Sequence, residues 1–310
     1  MDRFGKILFV SRSERDETEA LSQALALASA DGASVEVLVI CPRLPPAMED
    51  YRERYGRSLT VHAETAVNTA LASLDGPAPD WHVRIHCTAS PAIDIVRRVQ
   101  RDGFDLVMTP AESAVAGRGF KALEQTLLRK CPAPVWLCRA FRHPLEQARV
   151  AVAVDPEESG AAGRALTLAL LIHGRRLADL FGGALYVISA WDYEFEDFLQ
   201  HNTWVDISES EAQSVVAQAW EAHRAALDEV VAAAGIGGEV RVRQPKGLPE
   251  RVVPQVVERE AVDLVVMGSV ARTGISGWLI GNTAENITQK LDCSLLTLKP
   301  QGFVSPIRPD

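Results

Sequence analysis

The chain is poor in the features that announce a chemistry at sight. No apolar run in its 310 residues approaches the roughly 20 that a membrane-spanning helix needs. Cysteine is scarce and odd in number: Cys41, Cys87, Cys131, Cys138 and Cys293. That count and the irregular spacing argue against a disulfide framework and suit a reducing compartment. No apolar leader precedes the first strand, so a cytoplasmic chain is expected. Positive charge is in deficit. There are 32 Lys and Arg against 41 Asp and Glu, a formal net charge of −9, which excludes bulk affinity for nucleic acid. The seven histidines are scattered without metal-ligand spacing. His86 and Cys87 are neighbours on a strand and face opposite ways. There is no Gly-x-x-x-x-Gly-Lys-Ser/Thr loop, no strand-linked Gly-x-Gly-x-x-Gly and no Gly-x-Ser-x-Gly elbow. No nucleophile, base and orienter stand out together, so the chain reads as a non-enzyme without a metal.

What is present is a repeat. Lys6–Ser11 opens one half and Arg149–Asp155 the other, both short and rich in β-branched residues, as buried parallel strands are. Alanine- and leucine-rich helical stretches follow at 17–30 and 161–180, each ending near glycine. Second strands are expected at 34–40 and 184–189, and third strands at 81–88 and 239–243. Pro91 and Pro249 then open helices, where proline is tolerated. Fourteen residues after each proline an Asp, Asp105 or Asp263, begins a fourth strand. A last helix and strand close each half at 135–138 and 295–298. Strands alternating with helices, twice, predict two tandem α/β units, each a doubly wound, parallel, five-stranded sheet with right-handed crossovers. The expected divisions are residues 1–140, a linker at 141–147, residues 148–300 and a tail at 301–310. The tail has two prolines and no pattern, and is either loose or laid over the neighbouring unit.

The richest stretch is 263–286. Leu264–Met267 reads as a buried strand that stops at Gly268. A glycine-bearing loop follows, and Asn282-Thr283-Ala284-Glu285 opens a helix. Glycines allow close approach of a ligand, and the first helical N–H groups point at whatever sits there.

This segment resembles the universal stress protein family. The family's nucleotide motif is Gly, two residues, Gly, nine residues, Gly, then Ser or Thr. Gly268 and Gly281 fill the first and third positions, Ala271 stands at the second, and Asn282 at the fourth with Thr283 beside it. The wording Arg272-Thr-Gly-Ile-Ser276 and Gly281-Asn-Thr-Ala-Glu285 is most similar to the tandem, E-type members. The resemblance implies an adenine-nucleotide alpha-hydrolase-like fold in both halves, packed through the last strands as an internal pseudo-dimer. A homodimer is compatible with it. It also implies a role in stress resistance and a phosphorylated ligand such as ATP, with no cofactor required.

Gly268, Ser269, Ala271, Arg272, Gly281, Asn282 and Thr283 are the candidate phosphate residues. Asp155 is the candidate contact to adenosine, or else a plain strand-end Asp making a turn before Pro156. Ser11 is taken as its counterpart in the first half. There Thr109-Pro110 stands near the position of Gly268, Pro110 offers no N–H, and Glu112 adds negative charge, so the first half is expected to have lost nucleotide binding. The acidic, aromatic segment 191–204 carries Trp191, Tyr193, Phe195 and Trp204 as a candidate cleft lid, or as a helix docked on the unit or on a partner. Three readings follow: a nucleotide-sensing stress protein; a module that binds a protein partner, an apolar metabolite or a sugar nucleotide; and a slow ATP hydrolase. No direct nucleic-acid or membrane partner is expected.

Overall fold

Apolar alternation and proline placement decide the elements. The computed structural model describes residues 3–12, 16–112, 120–157, 160–193, 208–273 and 277–309. In the first half these are β1 (Lys6–Ser11), α1 (Thr18–Asp31), β2 (Ser34–Cys41), α2 (Arg52–Leu71), β3 (Trp81–Cys87), α3 (Pro91–Asp102), β4 (Leu106–Pro110), α4 (Ala122–Lys130) and β5 (Val135–Cys138). The second half has β6 (Val150–Ala153), α5 (Ala161–Leu180), β7 (Leu185–Ile188), α6 (Glu209–Ala234), β8 (Val240–Arg243), α7 (Pro249–Arg259) and β9 (Leu264–Gly268). It continues through a hairpin of β10 (Val270–Thr273) and β11 (Gly277–Ile280) to α8 (Asn282–Thr288) and β12 (Ser294–Leu298). Pro91 and Pro249 occupy the first turns of α3 and α7. Ser208 and Glu211 form a reciprocal capping box at the start of α6, and Gly32 closes α1 in the left-handed region at φ +67°.

Ten strands form one sheet in the order β3-β2-β1-β4-β5-β12-β9-β6-β7-β8. Each half is parallel throughout. The halves join where β5 and β12 run antiparallel, with Trp136 opposite Leu296. The last strands therefore fuse the two sheets, as the resemblance implied. Two cores run the length of the sheet. One lies under α1, α2, α5 and α6 and is centred on Phe9, Trp136, Leu171 and Val187. The other lies under α3, α4, α7 and α8, around Val10, Leu137, Ile188 and Val265. Apolar residues cover both faces of the inner strands, which bury both sides of their alternation, while the edge strands β3 and β8 are only partly covered. Gly174 lets α5 lie close on β6, since a Cβ there would fall 2.0 Å from Val152 Cγ2.

The seam is tied by more than the ladder. Trp136 and Phe141 meet Phe181 edge-on at 6.3 and 5.7 Å. Arg176 pairs with Asp31 across the halves, and Arg129 with Glu285. The linker is clamped by Asp263, which is buried. It accepts from the N–H groups of Arg142 (2.6 Å), His143 (3.2 Å) and Arg149 (2.8 Å), and pairs with His143 Nδ1 at 2.7 Å. Asp105 does the same for the first half, accepting from Gly5 N–H at 2.7 Å and Lys6 N–H at 3.0 Å. The tail crosses to the other half: the Gln100 side-chain amide on α3 donates to Ile307 O at 3.1 Å, and Ile307 packs on the core beneath it.

One expectation about cysteine is corrected. Cys41 and Cys87, direct partners in the β2–β3 ladder, are joined as a disulfide. Cys131, Cys138 and Cys293 are buried and free. Spacing alone did not show the pair, because 46 residues separate it in sequence and only the register brings the two together.

Candidate functional site

Ligands of doubly wound sheets sit beyond the carboxyl ends of the strands, and the ladders place equivalent residues there. Ile7 pairs with Val35 and Leu106, while Val150 pairs with Leu185 and Leu264. In that register Pro110 matches Gly268, as expected. The counterpart of Asp155 is Arg12, not Ser11, which matches Val154. The apolar runs looked one residue out of step because β1 ends on the buried hydroxyl of Ser11.

In the second half Asp155 is exposed just past β6. Its Oδ1 accepts from Glu157 N–H at 2.9 Å, the Asx-turn alternative. β9 lies beside β6, with Met267 opposite Ala153, so Gly268 and Ser269 stand next to Asp155 on the edge. Gly268 has a packing reason for lacking a side chain: a Cβ there would sit 3.1 Å from Leu166 of α5. Ser269 is buried; its N–H donates to Leu298 O and its carbonyl accepts from Gly281 N–H, each at 3.3 Å. Its hydroxyl has no partner among the described residues.

The expected open glycine loop is corrected here. The segment after Ser269 forms the β10–β11 hairpin, with Ala271 opposite Leu279 and Arg272 opposite Trp278. Ser269 and Gly281 clasp its base. Val270–Thr273 and Gly277–Ile280 lack polar–apolar alternation, so neither reads as a strand from its pattern. Gly281 caps α8 in extended conformation, and Asn282 and Thr283 are exposed in its first turn. Asp155, Gly268, Ser269, Gly281, Asn282 and Thr283 thus share one edge, and Ala271 and Arg272 lie on the hairpin above it.

The first-half edge is filled by its own charges. Arg12, in the place of Asp155, pairs with the fully buried Glu124 at 2.8 Å and lies 3.9 Å from Glu112, which Lys121 also pairs. Burial raises the Glu124 carboxyl above its usual range. A cleft of about 410 Å³ lies here, lined by Arg12, Asp16, Glu17, Glu112, Lys121 and Arg139 among others. Arg139, partly buried and 4.7 Å over the Phe120 ring, has its guanidinium pKa lowered by the same desolvation.

Beyond Asp155, at the end of β7, three polar groups missed from the sequence come together. Ser189 Oγ is 3.0 Å from His223 Nε2, and His223 Nδ1 is 2.9 Å from Glu157 Oε1. The order is that of a nucleophile, base and orienter. Ser189 is fully buried, however, and its backbone N–H donates to Arg243 O at 2.9 Å. The set is a polar pin holding α6 to the sheet. Trp220 on α6 packs against Trp191 at 5.0 Å, and Lys246 lies 5.3 Å over the Trp191 ring. Trp191 is therefore docked at the edge, with Tyr193 following it. Phe195 and Trp204 lie outside the described residues.

The model of the universal stress protein family matches residues 3–139 and 148–299. The chain belongs to the universal stress protein family. It is 30% identical over 233 residues to universal stress protein E of Escherichia coli K12, covering 74% of this chain and 70% of that protein. The universal stress protein E homolog of Haemophilus influenzae is 27% identical over 93% of this chain and 90% of its own. Among solved structures, a functionally unknown protein of Pseudomonas aeruginosa PAO1 has a TM-score of 0.69 at 22% identity, covering 96% of this chain and 93% of that one. A universal stress protein of Archaeoglobus fulgidus has a TM-score of 0.58 at 17% identity, covering 95% and 98%.

The chain is thus a tandem universal stress protein of the E type, and membership ties it to stress response. As a universal stress protein it carries two copies of the fold with unlike edges. The sign reversal at Arg12 and Asp155 was the residue-level signal of that difference, hidden by the one-residue misalignment. Among the described residues no cluster of three His, Cys, Asp or Glu has metal-binding geometry, and no helix is long and apolar enough to cross a membrane.

Proposed function

We propose that this universal stress protein binds one adenine nucleotide or related phosphorylated ligand, at the carboxyl edge of its second half, and acts in the cytoplasm by sensing rather than by turnover. The supporting observation is the contrast at one register position. Asp155 stands exposed beside Gly268 and Ser269 in the second half, while Arg12 in the first is held by its own Glu124. An exposed carboxylate accepts from an exocyclic amine or ribose hydroxyl, and the N–H groups and side-chain donors of Asn282 and Thr283 suit a phosphate. Ala271 and Arg272, on the hairpin, would close over the phosphates, with Arg272 as their cationic partner. Titration of ATP against the wild type, Gly281→Asp and Asp155→Ala is the test. The reading expects Gly281→Asp to abolish binding and Asp155→Ala to weaken it. Equal binding by all three would remove this site.

The docked Trp191–Trp220 pair favours a second reading, in which this end of the edge receives a protein or apolar partner. Loss of a captured partner on Trp191→Ala, with ATP titration unchanged, would support it.

A further inference from the structure

Cys41 and Cys87 close the carboxyl end of the outer strands β2 and β3. Their Cα atoms are 4.5 Å apart, within the range a disulfide spans without moving the backbone. Cys41 is buried and Cys87 only partly so, which makes Cys87 the more accessible end of the pair. The other three cysteines differ in kind. Each is buried and unbonded, and desolvation pushes the Cys131 thiol up to about 11 and the Cys293 thiol up to about 12, with Cys138 raised as well. Thiols of that sort are poor nucleophiles at neutral pH. In the second half the positions of Cys41 and Cys87 are held by Trp191 and Lys246, which bridge the same two strands. There a cation–π contact does the job of the sulfur bond, and a thiol oxidant has nothing to act on.

We propose that Cys41 and Cys87 form a reversible dithiol–disulfide site, oxidised by peroxides and reset by small dithiols, carried by the first half alone. The inference rests on the cytoplasmic placement proposed above, because a bonded pair in a reducing compartment is characteristically transient or redox-sensing. The chemistry balances with those two reagents. The partly exposed Cys87 thiolate attacks a peroxide oxygen, the O–O bond breaks, and with one proton this gives a sulfenic acid and water. The Cys41 thiol then attacks that sulfur, forming the S–S bond and releasing a second water. Two electrons pass from the sulfurs to the peroxide. In reverse, a dithiol attacks Cys87 through a mixed disulfide and leaves as its own cyclic disulfide, returning both thiols.

The site is coupled to its surroundings through the residue that follows it. Thr88 N–H donates to Cys41 O at 2.9 Å, and the Thr88 hydroxyl donates to Asp94 at 2.5 Å. Asp94 also pairs with His86 at 3.1 Å. The bond thereby fixes the strand end that leads into the first turn of α3.

The test uses the full chain, reduced, freed of reductant and exposed to rising hydrogen peroxide. Alkylation before and after unfolding, read by peptide mass, locates the reactive thiols. The expected result is loss of the mass of two hydrogen atoms, confined to the peptides of Cys41 and Cys87 and restored by a dithiol without unfolding. Cys131, Cys138 and Cys293 should label only after unfolding. Cys87→Ser should abolish the loss and Cys138→Ala should leave it. Should Cys87→Ser fail to fold, peptide mapping of the wild type decides alone. Two results overturn the proposal, and they differ. Thiols at 41 and 87 that stay free under peroxide sink the redox site and leave the cytoplasmic placement standing. A bond that no dithiol opens until the chain unfolds is a permanent cross-link and sinks both.

Discussion

The two halves share a scaffold and differ at its carboxyl edge. They share several devices: an Asp at the start of the fourth strand, a proline opening the helix before it, and a cation just past the last strand. At the edge the chemistry inverts. Arg12 answers Asp155, Pro110 answers Gly268, the buried Glu124 answers Ala284, and a disulfide answers Trp191 over Lys246. Residues that hold the sheet together meet the same packing demands in both copies. At the rim the matched residues differ: one copy fills its cleft with internal ion pairs, while the other has an exposed carboxylate at Asp155. The difference teaches that the two copies keep a common packing scaffold while their rims diverge, with Arg12 paired internally to Glu124 and Asp155 exposed at the matched position.

Substitutions at matched positions can break this comparison. The largest effect is expected at Asp263. Asp263→Ala strands three linker and strand N–H groups and the His143 ring, at a cost on the order of 3 kcal/mol. Asp105→Ala, which loses two donors from a less buried carboxylate, should cost roughly half that. Urea unfolding of the two variants measures the ratio, and equal losses would mean that the linker clamp adds nothing. Arg12→Ala comes next, since it leaves the Glu124 carboxylate buried without its cation, a loss of about 2 kcal/mol near neutral pH. Its sign with pH is fixed. Burial raises the folded carboxyl above its ordinary value, so stability is full below that ordinary value and falls as pH rises through the raised one. The Arg12→Ala deficit should therefore shrink on acidification, as thermal unfolding at several pH values would show. Gly174→Ala tests α5 against β6 and should cost about 1–2 kcal/mol through overpacking on Val152. The smallest effect belongs to the rim pair Arg243–Glu260, at 2.9 Å. Its Arg243 hydrogen bond holds the Glu260 carboxyl below the usual range, a contribution present above that range and lost as pH falls through the lowered value. Solvent screening keeps it well under 1 kcal/mol, so Arg243→Ala should shift unfolding barely at all at pH 7.

Much of this was readable in the residues. Helix 161–180 and strand 135–138 fall where the pattern placed them, and Pro91 and Pro249 open their helices as expected. The repeat was legible because buried strands and helix starts impose composition. The rim was not, because its residues answer to partners brought from afar by register. Cys41 meets Cys87 and Ser189 meets His223 only through the ladder and the α6 crossing. Nor did the glycines around 274–277 distinguish a hairpin from an open loop, since both use the same residues.

The most direct test of the account is the number of nucleotides held per chain. Isothermal titration calorimetry of ATP on the wild type, Gly281→Asp and the first-half control Glu112→Ala would measure it. The account predicts one site per chain, lost in Gly281→Asp and intact in Glu112→Ala. Two sites per chain, or one site that survives Gly281→Asp and disappears in Glu112→Ala, would contradict it.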